Sequence, residues 1–111
     1  MGKKKDQLQG TLDLLVLRIL RSAGERLHGY TIVERIHELS EDVLRVEEGS
    51  LYPALHRMDA AGWIRSQWGV SDNNRRARYY AITNAGQRHL EALERQWTKH
   101  VKAVSRVIKH A

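Results

Sequence analysis

The chain has 111 residues, a formal net charge of +6, 41% hydrophobic and 29% charged residues, 8 glycines, 1 proline and no cysteine. That size supports one domain of about 100–150 residues, and the composition excludes a collagen-like fibre and wholesale disorder. Without cysteine there is no disulfide framework, thiolate nucleophile or Cys-based zinc site, and a reducing cytoplasm is the expected setting.

Along the chain, residues 1–9 are polar and basic and read as a flexible arm. No apolar core of a signal peptide follows Lys3, Lys4 and Lys5, and no run reaches the ~18 apolar residues of a membrane span, so no membrane partner is expected. From Gly10, the residues Leu12, Leu15, Val16, Ile19 and Leu20 recur at helical spacing up to about Ser22, where Gly24 supplies a left-handed stop. A second helix is predicted over Gly29–Leu39, with Tyr30, Ile32, Val33, Ile36 and Leu39 on one side. Ser40-Glu41-Asp42 breaks it, and residues 43–46 form an extended connector. Ser50 is a good N-cap for a third helix running to Ala61, with Pro53 in its first turn and Leu51, Leu55 and Met58 as its apolar stripe.

Gly62 ends that helix. Two strand-like runs follow, residues 63–68 and 77–82, joined by a polar, turn-rich loop over 69–76. Thr83 can cap a last helix that meets no breaker before about His110. The order helix, helix, helix, hairpin, long helix is that of a winged helix-turn-helix: mainly α, with a small β-hairpin. The expected organisation is an arm over residues 1–9, the winged unit over 10–83 and a dimerisation helix over 84–111.

Charge is not spread evenly. Residues 1–27 carry a net +3, residues 28–64 a net −4, residues 65–89 a net +4 and residues 90–111 a net +3. The predicted helix-turn-helix is therefore acidic, and the predicted wing is basic.

Four stretches carry a family resemblance: residues 10–17 (GTLDLLVL), 27–30 (LHGY), 48–55 (EGSLYPAL) and 73–86 (NNRRARYYAITNAG). Together they span most of residues 10–90 in order, and the chain resembles the PadR-type transcriptional regulators, in a short form with one C-terminal dimerisation helix. The resemblance implies a homodimer that binds double-stranded DNA, usually as a repressor on a pseudo-palindromic operator. In some relatives an aromatic residue on the last helix lines a pocket for flat hydrophobic ligands. Trp97 would take that position, although plain interface packing is the simpler reading.

The DNA-contact set expected here is Ser50 and Tyr52 in the first turn of the third helix, His56 and Arg57 one turn on, and Tyr30 on the second helix. The wing adds Asn74, Arg75, Arg76 and Arg78. Guanidinium forks match phosphate oxygens, and in a strand Arg76, Arg78 and Tyr80 share one face. No acidic residue is expected to neutralise this cluster.

The last helix at 1.5 Å per residue would span roughly 40 Å, more than a domain of about 80 residues covers. Its stripe Leu90, Leu93, Trp97, Val101, Val104 and Ile108 is spaced like a near-heptad, so a two-fold partner is expected there, with Leu12 and Leu15 of the first helix joining in. The six histidines include no i,i+3 or i,i+4 pair, and no phosphate loop or nucleophile–base pattern occurs. No metal, cofactor or catalysis is expected. Two rival readings are a membrane-surface helix over residues 95–110 and an RNA-binding accessory protein.

Overall fold

Helix-forming Lys, Gln and Leu residues without a breaker precede Gly10, and the first helix begins early: α1 is Gly2–Ala23. The computed structural model describes the backbone of residues 2–111 and the side chains of residues 10–111. The expected start at Gly10 is thus corrected to Gly2. The expected contacts of Lys3, Lys4 and Lys5 lie outside the described side chains. The chain continues through β1 (Leu27–His28), α2 (Gly29–Leu39), α3 (Glu48–Ala60), β2 (Ile64–Val70), β3 (Arg76–Ile82) and α4 (Asn84–His110).

Breakers act where their backbone freedom is needed. Gly24 and Gly62 adopt φ of +65° and +81°, a region closed to most side chains, and these turns stop α1 and α3. After α2, Glu41 and Asp42 also take positive φ, and the His37 Nε2 accepts a hydrogen bond from the Val46 amide at 3.0 Å. The connector after α2, expected to be extended, instead bends at residues 43–44 and is tied back to the helix it leaves.

The N-terminus of α3 differs from expectation. Glu47, not Ser50, is the N-cap residue, and both Ser50 and Leu51 donate their amides to the Glu47 carbonyl at 3.0 Å. Pro53 consequently sits inside the helix rather than in its first turn.

The sheet has the order β1-β3-β2, all antiparallel. β1 is only a two-residue strand, too short to leave a periodic signal, and pairs Leu27 with Tyr80 and His28 with Tyr79. β2 and β3 form a hairpin in which Ser66, Trp68 and Val70 stand opposite Tyr80, Arg78 and Arg76. The turn between them closes through the Ser71 amide to the Arg75 carbonyl at 2.8 Å, with Asn74 at φ 59°.

One core serves the whole domain. Val16, Leu17, Ile19 and Leu20 of α1 meet Ile32, Val33 and Ile36 of α2 and Leu51, Leu55 and Met58 of α3, closed by Ile64, Tyr80 and Leu90. Two residues placed on the apolar side of α2, Tyr30 and Leu39, are exposed because they lie at its ends. Leu90, expected at a dimer interface, is fully buried within its own chain. It has no surface left for a partner, and that expectation is corrected.

α4 enters this core along a short, tight segment. The Thr83 hydroxyl donates to the Gly62 carbonyl at 2.6 Å and accepts from the Gly86 amide at 3.0 Å, linking the end of α3 to the start of α4. At Gly86 a Cβ would collide with the Trp63 carbonyl oxygen. Trp63 stacks on His89 with centroids 3.7 Å apart. Beyond Glu94, every residue of α4 is exposed, and the molecule measures 56 × 29 × 29 Å.

Candidate nucleic-acid interface

Ser50, Tyr52 and His56 lie on the exposed side of α3, while Leu51, Ala54, Leu55 and Met58 face the core. Tyr52 is not a free side chain. Its ring stands over Gly29, where an added Cβ would meet the ring at 3.3 Å, so the start of α2 is held against the first half of α3. Tyr30 is exposed next to that junction. The His28 Nδ1 accepts from the Tyr30 amide at 3.1 Å and caps α2.

Arg57 has a different position from the one expected. Its guanidinium makes two hydrogen bonds of 2.8 Å to the carboxylate of Asp13, which is buried on α1. The hydrogen bond to Asp13 raises the pKa of Arg57 further, outweighing the effect of burial. A bidentate pair of this kind fixes one helix against another, so Arg57 holds α3 to α1 rather than reaching outward. Sequence reasoning missed Asp13 because a lone carboxylate among leucines carries no sign of its partner 44 positions on.

The wing presents two different faces. Side chains alternate along a strand, so Ser66, Trp68 and Val70 share one face with Arg76, Arg78 and Tyr80. This face turns toward α3. Ser66 donates to the Asp59 carboxylate at 2.7 Å, Arg78 donates to the Ser66 hydroxyl at 2.9 Å, and Arg78 lies 3.9 Å from Asp59. The expectation that no carboxylate touches the arginine cluster is therefore corrected for Arg78. Tyr80 plugs the base of this face, and burial pushes its phenol above the usual range.

Nearer the tip, Trp68 is 55% exposed and lies beneath two cations, with Arg76 4.3 Å and Arg78 5.4 Å from the ring centroid. Nothing in the sequence reading singled out this tryptophan. Its cross-strand register with Arg78 is the signal, and that requires the hairpin to be closed correctly. Arg75 and Asn74 lie exposed in the turn.

On the opposite face, Arg26 covers the Tyr79 ring at 4.7 Å and donates to Gln67 at 3.2 Å. Tyr79 in turn donates to the Val70 carbonyl at 3.2 Å, and its ring occupies the space above Gly69. A non-glycine residue there would press on the ring. This bracing links the α1–β1 turn to the far half of the hairpin.

Among the described residues no cluster of His, Asp or Glu is arranged to hold a metal ion, and no helix is long and apolar enough to cross a membrane. A helix-turn-helix whose α3 is fixed to α1 by the part-buried Asp13–Arg57 pair, with an arginine-bearing hairpin turned toward α3, has the form of a winged-helix DNA-binding regulator. The sequence pattern of the Transcriptional regulator PadR-like family matches residues 16–92, and the chain belongs to that family.

Individual relatives agree with this placement. The transcriptional regulator Rv3488 of Mycobacterium tuberculosis (strain ATCC 25618 / H37Rv) is 39% identical over 88 residues, which cover 72% of this chain and 78% of that protein. A transcriptional regulator from Clostridium thermocellum superposes with a TM-score of 0.79 at 26% identity, covering 91% of this chain and 96% of the other. A PadR family regulator from Eggerthella lenta DSM 2243 gives 0.76 at 29% identity, covering 99% and 93%. The family is one of transcription regulators rather than enzymes.

Proposed function

We propose that the protein is a sequence-specific repressor that binds a pseudo-palindromic operator in double-stranded DNA as a homodimer. The observation that carries this reading is the shared orientation of two surfaces. The wing face bearing Arg76 and Arg78 is tied through Ser66 and Asp59 to the helix that presents Ser50, Tyr52 and His56. In this arrangement α3 enters the major groove and the wing follows the adjacent backbone. Phosphate affinity comes chiefly from Arg75 and Arg76, since Arg78 already has a carboxylate neighbour. The acidic helix-turn-helix contributes base contacts and shape rather than general attraction.

The dimer is formed by the distal half of α4. Trp97, Val101, Val104 and Ile108 make an exposed apolar stripe there, with the half-buried Leu93, Leu12 and Leu15 at its near end. Such a stripe is stabilised by a second copy across a two-fold axis, which also sets two recognition helices about one helical turn, roughly 34 Å, apart. Repression follows from occlusion of a promoter. A flat hydrophobic effector packed on Trp97 would act by changing the spacing of the two wings.

Selection of genomic fragments by the purified chain, followed by binding at several salt concentrations, tests the proposal. Tight binding to a two-fold-related site is expected, with Arg75→Ala and Arg76→Ala each lowering the salt slope by ~0.9. Arg57→Ala should leave the slope unchanged. Binding that is equal for all duplexes, or for RNA and DNA, would remove the operator reading.

A further inference from the structure

We infer that Trp68 is a positioning residue of the wing, whose indole orders Arg76 for phosphate contact before DNA arrives. The inference rests on the DNA-binding reading proposed above and adds to it a residue that contributes no charge.

Three observations lead to it. First, Trp68 is not a core residue. Its side chain is largely exposed, on the wing face turned toward α3, and Val70 is exposed beside it. Second, the two arginines above it are not equivalent. Arg78 lies directly across the hairpin from Trp68 and is also held by Ser66 and Asp59, whereas the Arg76 side chain has no hydrogen bond or ion pair among the described residues. Among the described residues its polar head meets only the indole, and the closer of the two cation–π contacts belongs to it.

Third, the chemistry of the stack suits a residue that waits for an anion. A guanidinium lying over an aromatic ring uses its π face for that contact, and its N–H donors remain in its own plane. A phosphate can then be bound at the edge without breaking the stack. An arginine side chain otherwise has rotamer freedom that it loses when it binds. Ordering it beforehand removes part of that cost. Arg78 serves as the fixed strut that steadies the ring, and Arg76 is the cation that reaches the backbone.

Because the indole is uncharged, its loss should weaken binding without changing the number of phosphates neutralised. This separates a positioning role from a direct ionic one. The experiment measures dissociation constants of the full chain for the selected duplex at several salt concentrations, with thermal unfolding as a check on folding. The variants are Trp68→Ala, Trp68→Phe, Trp68→Leu, Arg76→Ala and the Trp68→Ala/Arg76→Ala pair.

Trp68→Ala is expected to weaken binding about tenfold with an unaltered salt slope. Phe, which keeps an aromatic face, should restore more of the affinity than Leu. In the Arg76→Ala background the Trp68→Ala effect should largely vanish, because the ring acts through that arginine. Wild-type affinity in Trp68→Ala, equal rescue by Leu and Phe, or full additivity of the pair would each overturn the inference. The DNA-binding reading fails in a distinguishable way, when the wild-type chain itself binds no duplex.

Discussion

The two halves of α4 share one apolar spacing and have opposite surroundings. Near its start, Leu90 is completely buried, Gly86 leaves no room for a side chain, and Trp63 stacks on His89. Beyond Glu94, the same stripe continues as Trp97, Val101, Val104 and Ile108, with exposures running from 40% at Val101 to 77% at Ile108. A periodic stripe specifies which side of a helix is apolar. What covers that side depends on how far the rest of the chain extends, and here the domain ends about halfway along the helix.

Substitutions in each half should separate stability from assembly. Leu90→Ala should have the largest effect on the fold, destabilising it by about 2–5 kcal/mol, measured by chemical denaturation at low protein concentration. An effect below that range would mean that α4 docks less firmly than its burial indicates. Next is Gly86→Ala, at about 1–3 kcal/mol, since the added methyl meets a backbone carbonyl that cannot turn aside as a side chain would. If this variant matched wild type, the tight entry of α4 would be disproved.

Val101→Asp sharpens the contrast from the other side. It should leave intrinsic folding within about 0.5 kcal/mol, yet raise the dimer dissociation constant by roughly thirtyfold or more. Sedimentation velocity over a concentration series reads this directly. An unchanged mass would remove the distal stripe from the proposed interface. The smallest effect is expected at Arg18, whose guanidinium lies 3.8 Å from Glu94 where the two halves meet. Both side chains are well exposed, so Arg18→Ala should change the melting temperature little, by no more than about 0.5 kcal/mol in stability, and less at high salt.

A similar contrast runs through the arginines, and it marks the limit of sequence reading for the site. Arg57 and Arg76 are both arginines in segments assigned to DNA contact. One is bound by the buried Asp13 on α1, and the other lies over an exposed indole. Residue type and spacing do not distinguish them, because the deciding partners are 44 and 8 positions away in the chain and arrive only with the fold. The wing itself was legible, since a polar, turn-rich loop between two β-type runs has few other solutions. So were the last helix with its Thr83 cap and the stops at Gly24 and Gly62.

Elements were misplaced where local signals were weak or competed. Ser50 is a good capping residue, yet α3 starts earlier, around the Glu47 carbonyl. The two-residue β1 shows no alternation and exists through its pairing with β3.

The sequence by itself determined the element order, the apolar faces, the family and the division between an acidic helix-turn-helix and a basic wing. These follow from local periodicity, turn chemistry and charge counting, which act over a few residues. Only the tertiary structure decided that Arg57 is a brace, that Leu90 belongs to the core, that Asp59 shares Arg78 with Ser66, and that Trp68 underlies the wing arginines. Each of those depends on which side chains meet across the fold. Contacts of that kind are set by packing and strand register together, which residue type and local spacing do not specify.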